Sequence, residues 1–557
     1  MLLLYHLDAT STIWTSDTVS INVAQILRQA ALQTPERVAM TVVDAEGVRA
    51  DWTCERLDRA ARHVAAKIAP GTRVAVQAPN GAAFVAAWFG TLYAGGTVIP
   101  IPMELPPAAA APRLAHADML LTEALDLEPA SKARCLAEPR STAGDDPAMI
   151  LFTSGTTANP RGVVIGHSAL LLHTTTVVHR TLRLTADDVI LGVLPFTHSY
   201  GCRMVLLAGL VSGARIVTTP TFSARQSRAL MAEEGVTWVP AVPTMFAAWA
   251  AVAPSDRSDA PPKTAVRWCL SAGAPLPDAI RLSAERAIGA EIRQGYGMTE
   301  ATFSTLDAPP HPQRAGSVGR PVWGVEVKLV DDAGSSVPTG ERGQILLRGP
   351  NQMLGYLDDP DATQATLAAT GVSRLQSGNV HAVRGARARR DQESGRFERG
   401  GAERAGGLAA LGKARSAFPR TLVDGEGWIH SGDIGVLDAD GTLTVIDRVK
   451  DIILRGGFTV YPSRVEAAVA AFPGVLQAAV VGRPDDFYGE EVVACIIVDP
   501  AAPPDHAALD RHLAGILAEA ERPHEIVVLD AFPLGPSRKV LKRRLRATVA
   551  AAASKRS

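Results

Sequence analysis

Short apolar runs alternate with segments of helical periodicity along most of the chain. The run at residues 72–79 predicts a strand that ends at a turn, and Asn80 stands where the N-cap of a following helix is expected. Apolar positions then recur every four residues, which predicts a helix with one buried face, at Phe84, Trp88 and Leu92. The pair Gly95-Gly96 is typical of a helix end.

Further strands are predicted where a short apolar run stands between two helical windows. These runs lie at residues 97–101, 189–195, 214–218 and 236–240. Strands that alternate with helices are typical of α/β proteins whose sheets are largely parallel. The sequence therefore predicts a large α/β domain with layered sheets.

The pattern changes at about Gly316 to short strands with tight turns. Residues 324–331 alternate with a period of two, and residues 436–446 indicate two strands joined at Asp440-Gly441. Asp438 and Asp440 also suggest a calcium loop, but its glycine and its terminal glutamate would stand at the wrong positions. We therefore predict a hairpin here, within a small β region that follows the α/β layers.

A smaller unit is predicted after Asp447. It contains a helix near 462–471, strands near 478–481 and 492–498, and a basic tail with Arg538, Lys539, Lys542, Arg543 and Arg544. We place the domain boundary at about 447–450. The chain then consists of an N-terminal extension (1–20), a large α/β domain (21–447) and a small α+β domain (448–557).

Length and composition agree with this division. At 557 residues the chain exceeds one ordinary domain core, and with 47% hydrophobic and 20% charged residues it is not a mostly disordered chain. Lys and Arg total 56 against 57 Asp and Glu, so the formal net charge is −1. A whole-chain polycation is excluded, and we expect no specific binding of nucleic acid.

Residues 373–420 differ from everything around them. They hold 10 Arg, 1 Lys, 8 Gly and 4 acidic residues, with no sustained apolar period. Such a stretch buries too little apolar area to offset its ordering entropy, so we predict a disordered insertion, or else a stretch that contributes nothing to the fold. Its 11 basic and 4 acidic residues give this segment a net charge of +7, whereas the rest of the chain, with 45 basic and 53 acidic residues, has a net charge of −8. An anionic partner of the segment is therefore an open alternative.

The sequence predicts neither a membrane span nor a secretory leader. The longest apolar stretches, such as residues 204–211, fall far short of the ~20 residues that a membrane helix needs. The first residues lack a basic region followed by a long apolar core. We expect a cytoplasmic protein in a reducing compartment, because five cysteines lie far apart without a CxxC pair, at Cys54, Cys135, Cys202, Cys269 and Cys495.

Residues 149–163 carry the first candidate chemistry. An apolar strand leads into a loop with four hydroxyls and one cation, which are Thr153, Ser154, Thr156, Thr157 and Arg161. Hydroxyls, exposed backbone N–H groups and a guanidinium suit the oxygens of a polyphosphate. The loop lacks the GK[ST] ending of a Walker A loop. For this stretch alone, a plain polar turn is the alternative.

Four further motifs follow this loop in order, at residues 294–301 (QGYGMTEA), 431–433 (SGD), 447–451 (DRVKD) and 536–539 (PSRK). Together with the loop they resemble the acyl-adenylate-forming superfamily of acyl-CoA synthetases, peptide-synthetase adenylation domains and firefly-type luciferases. The resemblance covers about residues 22–372 and 421–548. It implies a large AMP-binding domain and a small, mobile C-terminal domain that rotates between two half-reactions.

The resemblance assigns a role to each matching residue. It implies that ATP is bound by Thr153, Ser154, Gly155, Thr156, Thr157, Arg161, Gly273, Ala274, Tyr296, Gly297, Asp433 and Arg448. Glu300, with Thr156, is the implied Mg²⁺ site, since a hard cation prefers oxygen ligands. Thr299 is expected at the α-phosphate. Lys539 is the implied catalytic cation that bridges the carboxylate and the α-phosphate during adenylation.

The resemblance also implies roles at the adenine, the ribose, the acyl tunnel, the hinge and the pantetheine arm. Tyr296 is expected to stack on the adenine, and Asp433 to accept from the ribose hydroxyls. His198 matches a family position that lines the acyl tunnel and is counted with the catalytic candidates, although a packed or surface histidine fits it equally well. Lys450 stands at the hinge position. The glycines Gly456-Gly457 are expected to approach the pantetheine arm, since the absence of a Cβ permits close passage.

Three positions depart from the family pattern. Ala158 replaces a usual Gly, Arg161 a usual Lys, and Arg538 the Gly of the C-terminal motif. Arginine replaces a point donor by a planar fork. If the replaced glycine served a positive φ, Arg538 costs about 1 kcal/mol or more, which bears on the placement of Lys539.

These residues predict an acid–thiol ligase. In this interpretation the enzyme is an acyl-CoA synthetase that forms an acyl-adenylate from a fatty or aryl acid, ATP and Mg²⁺, and then a thioester with CoA. One alternative is an acyl-AMP ligase or adenylation enzyme that loads the phosphopantetheine of an acyl carrier protein. Another is a non-catalytic acyl or nucleotide binder. Tyr200, Met245 and Ala274 are candidate acyl-pocket residues, but the sequence does not indicate which acid is bound.

Overall fold

The computed structural model describes residues 21–127, 137–153, 160–252, 264–331, 333–368, 427–485, 487–535 and 540–554. The predicted N-terminal extension at 1–20 and the predicted insertion at 373–420 lie outside the described residues. So do four residues of the candidate phosphate loop, Ser154, Gly155, Thr156 and Thr157, as well as the C-terminal Lys539.

The strands are, in chain order, β1 (Val38–Val43), β2 (Arg49–Thr53), β3 (Arg73–Gln77), β4 (Thr97–Pro100), β5 (Met119–Thr122), β6 (Pro147–Phe152), β7 (Gly162–Gly166), β8 (Val189–Gly192), β9 (Arg215–Thr218), β10 (Trp238–Ala241), β11 (Trp268–Ala272), β12 (Ile292–Tyr296), β13 (Thr305–Leu306), β14 (Arg320–Pro321), β15 (Glu326–Val330), β16 (Arg342–Arg348), β17 (Gly355–Tyr356), β18 (Ile429–Leu437), β19 (Leu443–Arg448), β20 (Ile453–Arg455), β21 (Phe458–Val460), β22 (Val475–Asp485), β23 (Gly489–Val498) and β24 (Glu525–Val528).

The helices are α1 (Gln25–Gln33), α2 (Cys54–Ala65), α3 (Ala82–Tyr93), α4 (Pro107–Leu114), α5 (His167–Thr176), α6 (Ser199–Gly201), α7 (Ala208–Ser212), α8 (Ala224–Glu233), α9 (Pro243–Ala251), α10 (Asp278–Ile288), α11 (Pro360–Ala368), α12 (Pro462–Ala470), α13 (His506–Ile516) and α14 (Lys542–Ser554). Wider π-helical turns at Val177–Leu182 and Cys202–Leu207 continue α5 and join α6 to α7. Short 3₁₀ turns lie at Val449–Asp451 and Glu519–Glu521.

Two of the sheets formed by the described strands are largely parallel. The larger runs β14-β13-β12-β11-β10-β8-β9-β1-β2 and is parallel from β12 to β1. The other runs β17-β7-β6-β4-β3-β5 and is parallel from β6 to β5. Helices lie between most of the parallel strands along the chain, because parallel strands need a crossover connection. The predicted α/β fold with layered sheets is confirmed.

Helix α3 is buried on nearly all sides. The predicted apolar positions Phe84, Trp88 and Leu92 are fully buried, and so is every other residue of the helix except Ala83. The prediction of a single buried face was therefore too narrow. Such a helix, apolar all round, is typical of the interior of a large protein.

The predicted capping role of Asn80 is wrong. The N-cap of α3 is Gly81. The Asn80 amide donates to the carbonyls of Gly192 (3.3 Å) and Leu194 (2.8 Å), and its Oδ1 accepts from the Phe196 amide at 2.8 Å. Its side chain therefore ties the end of β3 to the chain that leaves β8, which joins the two large sheets.

The small β region is an antiparallel sheet in the order β15-β16-β18-β19. The predicted hairpin is present as β18 and β19, with Asp438 and Asp440 in its turn. These two carboxylates pair with Arg314 at 2.7 and 2.6 Å, and Asp440 also pairs with Arg320 at 2.6 Å. The acidic residues thus attach the turn to the chain at β14, the edge strand of the larger sheet.

The C-terminal part forms a separate sheet in the order β21-β20-β23-β22, with β24 beside β23. One face packs on α12 and α13, and the other face packs on α14 through Leu545 and Val549. The predicted basic tail is thus largely a helix, because these two apolar residues are four apart and both are buried. The chain passes from one sheet to the next between Arg448 and Ile453. This agrees with a domain boundary at 447–450, which stays a prediction.

The four cysteines that the structure describes, Cys54, Cys202, Cys269 and Cys495, are buried free thiols. Burial raises the pKa of Cys202 to about 12, so this thiol stays protonated. In the described part of the chain, no helix combines the length and the apolar character needed to cross a membrane.

Candidate active site

The candidate phosphate loop is held at its base by two antiparallel strands. Phe152 at the end of β6 pairs with Gly162 at the start of β7, and the Thr153 amide donates to the Arg161 carbonyl at 2.9 Å. The Arg161 guanidinium is half-exposed, with Nε 3.4 Å from Asp359 Oδ2. Because the loop's other hydroxyls lie outside the described residues, their contacts with phosphate stay a prediction.

The ends of β11 and β12 bring two predicted nucleotide segments together. The strands are parallel neighbours in which Ala272 pairs with Gly295. Gly273-Ala274 and Tyr296-Gly297 therefore leave the sheet at the same edge, where ligands of open α/β sheets bind. Gly297 is required there, since a Cβ would lie 2.3 Å from the Phe303 amide nitrogen. Gly273 takes a left-handed φ of +89°.

Asp433 connects this edge to the small β region. Tyr296 Oη donates to Asp433 Oδ2 at 2.7 Å, and Arg448 Nε lies 3.1 Å from Oδ1. Asp433 and Arg448 face each other in the β18–β19 register, and the Asp433 side chain is only 5% exposed. The carboxylate raises the pKa of Arg448. The structure thus brings together three residues that the sequence assigned to the nucleoside.

Glu300 lies in the loop after β12 and is buried. Its Oε1 accepts from Tyr356 Oη at 2.7 Å, and its carbonyl accepts from the Met353 amide at 2.8 Å. Burial and then the Glu300 charge raise the pKa of Tyr356, so this phenol remains a donor. Thr299, which precedes Glu300, is half-buried, and its contact with the α-phosphate stays a prediction.

The chemistry of Glu300 fits a divalent cation. The carboxylate is 8% exposed, and the hydrogen bond it receives from Tyr356 is neutral. Among the described residues no Lys or Arg forms an ion pair with Glu300. Arg448, which pairs with Asp433, lies close enough that the Glu300 charge contributes to its raised pKa, but it forms no ion pair with Glu300. The charge of this buried carboxylate is therefore only partly compensated, which is costly, and a hard oxygen ligand is what Mg²⁺ prefers.

His198 caps helix α6. Its Nδ1 accepts from the Tyr200 amide at 3.2 Å, so the ring proton is assigned to Nε2. Tyr200 is buried; its hydroxyl donates to the Leu270 carbonyl at 2.7 Å, and its ring lies edge-on to Phe303 at 5.0 Å. The structure therefore shows His198 as the N-cap of α6, while its role at the acyl tunnel stays a prediction.

The predicted hinge and glycine pair lie beyond β19. Lys450 is exposed in the 3₁₀ turn between Arg448 and Ile453. Gly456 and Gly457 have φ of +56° and +84° and form the two-residue turn between β20 and β21. Two left-handed residues are what a type I′ hairpin turn demands. Their predicted roles in domain rotation and at the pantetheine arm stay predictions.

Two site residues were missed by the sequence reasoning. Tyr356 contacts Glu300 as described above, and its ring centre lies 5.4 Å from the Arg161 guanidinium carbon. Asn351 is buried and donates to the Thr302 carbonyl and to Ser304 Oγ, both at 3.0 Å. The available signal was the polar pair Asn351-Gln352 and the Gly-Tyr pair within the segment at 351–357.

Comparison with known proteins decides the family. The AMP-binding enzyme profile matches residues 27–136 and 117–357, and the AMP-binding enzyme C-terminal domain matches residues 464–539. The chain belongs to the AMP-binding enzyme family. The predicted membership in the acyl-adenylate-forming superfamily is confirmed, and so is the predicted class of enzyme, an acid–thiol ligase.

Relatives of this AMP-binding enzyme are CoA ligases. The sulfoacetate–CoA ligase of Cupriavidus necator is 30% identical over 514 residues, which are 87% of this chain and 89% of the relative. The 4-coumarate–CoA ligase 5 of Oryza sativa subsp. japonica is 30% identical over 435 residues, 76% of this chain and 69% of the relative. The feruloyl-CoA synthase of Amycolatopsis sp is 29% identical over 507 residues, 86% and 90% of the two chains.

Solved structures share the fold. ATP-bound MatB from Rhodopseudomonas palustris superposes with a TM-score of 0.76 at 24% identity, covering 96% of this chain and 99% of that one. The anthranilate CoA ligase AuaEII in complex with anthranoyl-AMP gives 0.77 at 22% identity, covering 97% and 100%. At this identity the likeness establishes the architecture of both parts of the chain.

Proposed function

We propose that this AMP-binding enzyme joins a carboxylic acid to CoA in two steps. A carboxylate oxygen attacks the α-phosphorus of ATP, pyrophosphate leaves, and an acyl-adenylate forms. The CoA thiolate then attacks the acyl carbon, and AMP leaves as the thioester forms. The observation that supports this proposal most is the contact of Tyr296 and Arg448 with the buried Asp433, because it brings together three residues that the resemblance assigns to the nucleoside.

The described residues supply mainly binding and orientation. Asp433 has a free lone pair on each oxygen for the ribose hydroxyls, and Gly273-Ala274 with Tyr296 offer two walls for the adenine. Mg²⁺, held by Glu300 and by Thr156, would neutralise charge on the phosphates. Arg161 lies beside the loop that would hold the departing pyrophosphate. Holding reactants in line and neutralising charge are the main sources of rate in phosphoryl chemistry.

Lys539 completes the proposed adenylation site. We propose that its ammonium bridges the substrate carboxylate and the α-phosphate as charge develops. Residues Gly456 and Gly457 would then serve the second step, in which the small domain turns about Lys450. The predicted cytoplasmic location and a carrier-protein partner stay predictions.

We propose an aromatic acid as the first substrate class to test, with fatty acids second. Relatives named for 4-coumarate and ferulate support this order. Tyr200, a pocket candidate, also packs edge to face against Phe303 with ring centres 5.0 Å apart, so its immediate neighbour is aromatic. Met245, another pocket candidate, is 1% exposed and therefore packs within the apolar core beside this region.

Carboxylate-dependent exchange of pyrophosphate into ATP tests the first step. A panel of aromatic and fatty acids is expected to give exchange with at least one acid, and adding CoA is expected to yield the matching thioester. Exchange followed by transfer only to a pantetheinylated carrier protein would contradict the CoA step and favour carrier loading. Exchange with none of the acids would contradict the enzymatic proposal.

A further inference from the structure

The segment at residues 352–357 links the Glu300 loop to the strand that leaves the phosphate loop. On one side, the Met353 amide donates to the Glu300 carbonyl at 2.8 Å. On the other side, the Leu357 amide donates to the Gly162 carbonyl at 2.7 Å, and β17 pairs with β7. Main-chain hydrogen bonds therefore fix this segment against both charged parts of the candidate site.

Tyr356 lies in the middle of this segment and contacts both parts. Its hydroxyl donates to Glu300 Oε1 at 2.7 Å, and its ring faces the Arg161 guanidinium at 5.4 Å. The Tyr356 amide in turn donates to Thr363 Oγ1 at 2.8 Å. With Tyr356 9% and Glu300 8% exposed, water competes little for this hydrogen bond.

The hydrogen bond restricts the orientation of the Glu300 carboxylate. The last torsion of a glutamate side chain is broad, so a carboxylate without a fixed partner takes many orientations. With Oε1 bound to the phenol, Oε2 is the oxygen left to ligate a cation. A hydrogen bond from a neutral hydroxyl leaves the carboxylate with its negative charge. An ion pair with Lys or Arg would neutralise that charge.

We propose that Tyr356 is a positioning residue that orients Glu300 for the Mg²⁺ of the bound nucleotide. The inference rests on the proposed function, since it concerns the metal–ATP complex. Tyr356→Phe tests it, because the substitution removes the hydroxyl and keeps the ring beside Arg161.

Tyr93→Phe is the matched control. Tyr93 is also buried, and its hydroxyl also donates to a buried carboxylate, Asp58 Oδ1, at 2.7 Å. This pair joins α3 to α2 and is no part of the candidate site. The control therefore removes the same kind of hydrogen bond, with a similar expected loss of stability, from another place in the same domain.

The experiment measures ATP binding by calorimetry, with Mg²⁺ and separately with EDTA, for both variants and the unmodified protein. Tyr356→Phe is expected to weaken binding of MgATP roughly five- to tenfold and to leave binding in EDTA unchanged. This is less than the full effect of a hydrogen bond to a charged group, because the lost bond orients Glu300 and does not itself contact the ligand. The Mg²⁺ concentration for half-maximal pyrophosphate exchange is expected to rise by a similar factor. Tyr93→Phe is expected to change neither quantity.

Two results would overturn the inference. One is the same Mg²⁺ dependence for Tyr356→Phe and the unmodified protein. The other is equal weakening of binding with Mg²⁺ and with EDTA, which indicates a purely structural role for the hydroxyl. If the unmodified protein itself binds ATP equally well with and without Mg²⁺, the result contradicts the proposed metal site of Glu300 instead.

Discussion

Replacing Tyr296 by Phe tests how the nucleoside site is assembled. The substitution keeps the ring that we propose to stack on adenine and removes only the hydroxyl that donates to Asp433 Oδ2 at 2.7 Å. Asp433 keeps its second partner, Arg448, at 3.1 Å. The carboxylate is therefore held by one donor instead of two, and we expect it to be less well oriented toward the ribose.

The size of the effect follows from the burial of Asp433. A hydrogen bond to a charged group contributes about 1.5–3 kcal/mol, and the 5% exposure of this side chain limits replacement by water. We expect the free energy of unfolding to fall by about 1–2 kcal/mol, since the ion pair with Arg448 remains. Binding of ATP is expected to weaken about three- to tenfold, where 1.4 kcal/mol corresponds to tenfold.

The assay compares ATP with 2′-deoxy-ATP in both proteins. If Asp433 accepts from the ribose, the unmodified protein is expected to bind ATP about tenfold more tightly than 2′-deoxy-ATP, which is about 1.4 kcal/mol. In Tyr296→Phe this preference is expected to shrink to about threefold. An undiminished preference in the variant would refute the reasoning that Tyr296 orients Asp433, and no preference in either protein would refute the ribose role of Asp433.

The remaining predictions concern catalysis, the insertion and pH. Lys539→Ala is expected to abolish adenylation from acid and ATP, measured by pyrophosphate exchange, and to spare thioester formation from supplied acyl-AMP; equal loss of both steps would contradict its role. Deletion of residues 373–420 is expected to leave the unfolding midpoint within ~2 °C, as for a loop outside the core, and an unfolded product would contradict this. Burial lowers the pKa of His167 from 6.5 to about 4. As pH falls below 6.5, the unfolded chain therefore binds a proton that the folded chain does not, and the free energy of unfolding decreases, by about 2 kcal/mol at pH 5. His167→Asn keeps an acceptor for the Val23 amide and is expected to remove this loss in urea titrations at pH 7 and pH 5; an unchanged loss would show that other groups cause it.

Local sequence patterns predicted much of the fold. Alternating apolar runs predicted the parallel sheets, and the turn at Asp440-Gly441 predicted the β18–β19 hairpin, because hydrophobic periodicity and turn chemistry are set by neighbouring residues. The role of Asn80 could not be derived in this way. Its three partners lie more than 110 residues away, so its bonds depend on how two sheets meet. The charged first turn of helix α14 favours the prediction of a basic tail, whereas its burial through Leu545 and Val549 depends on the sheet against which they pack.

In the candidate site, too, the sequence predicts the local motifs but not the contacts between distant residues. The motifs at 153–161, 294–301 and 431–433 could be recognised because each is contiguous. The contact of Tyr356 with Glu300 joins residues 56 apart and exists only because β17 pairs with β7 in one register. Tyr296 and Asp433 lie 137 residues apart, and their hydrogen bond depends on how the small β region packs against β12. Sequence motifs thus indicate candidate site residues, while tertiary packing determines which of them are in contact.

The most direct test of the proposed reaction follows an oxygen atom. An acid that supports pyrophosphate exchange is labelled with ¹⁸O in both carboxylate oxygens and converted with ATP and CoA, and the products are analysed by mass spectrometry. If a carboxylate oxygen attacks the α-phosphorus, each molecule of acyl-CoA is accompanied by one AMP that carries one ¹⁸O. Appearance of ¹⁸O in inorganic phosphate or pyrophosphate, or unlabelled AMP alongside the thioester, would contradict an acyl-adenylate intermediate.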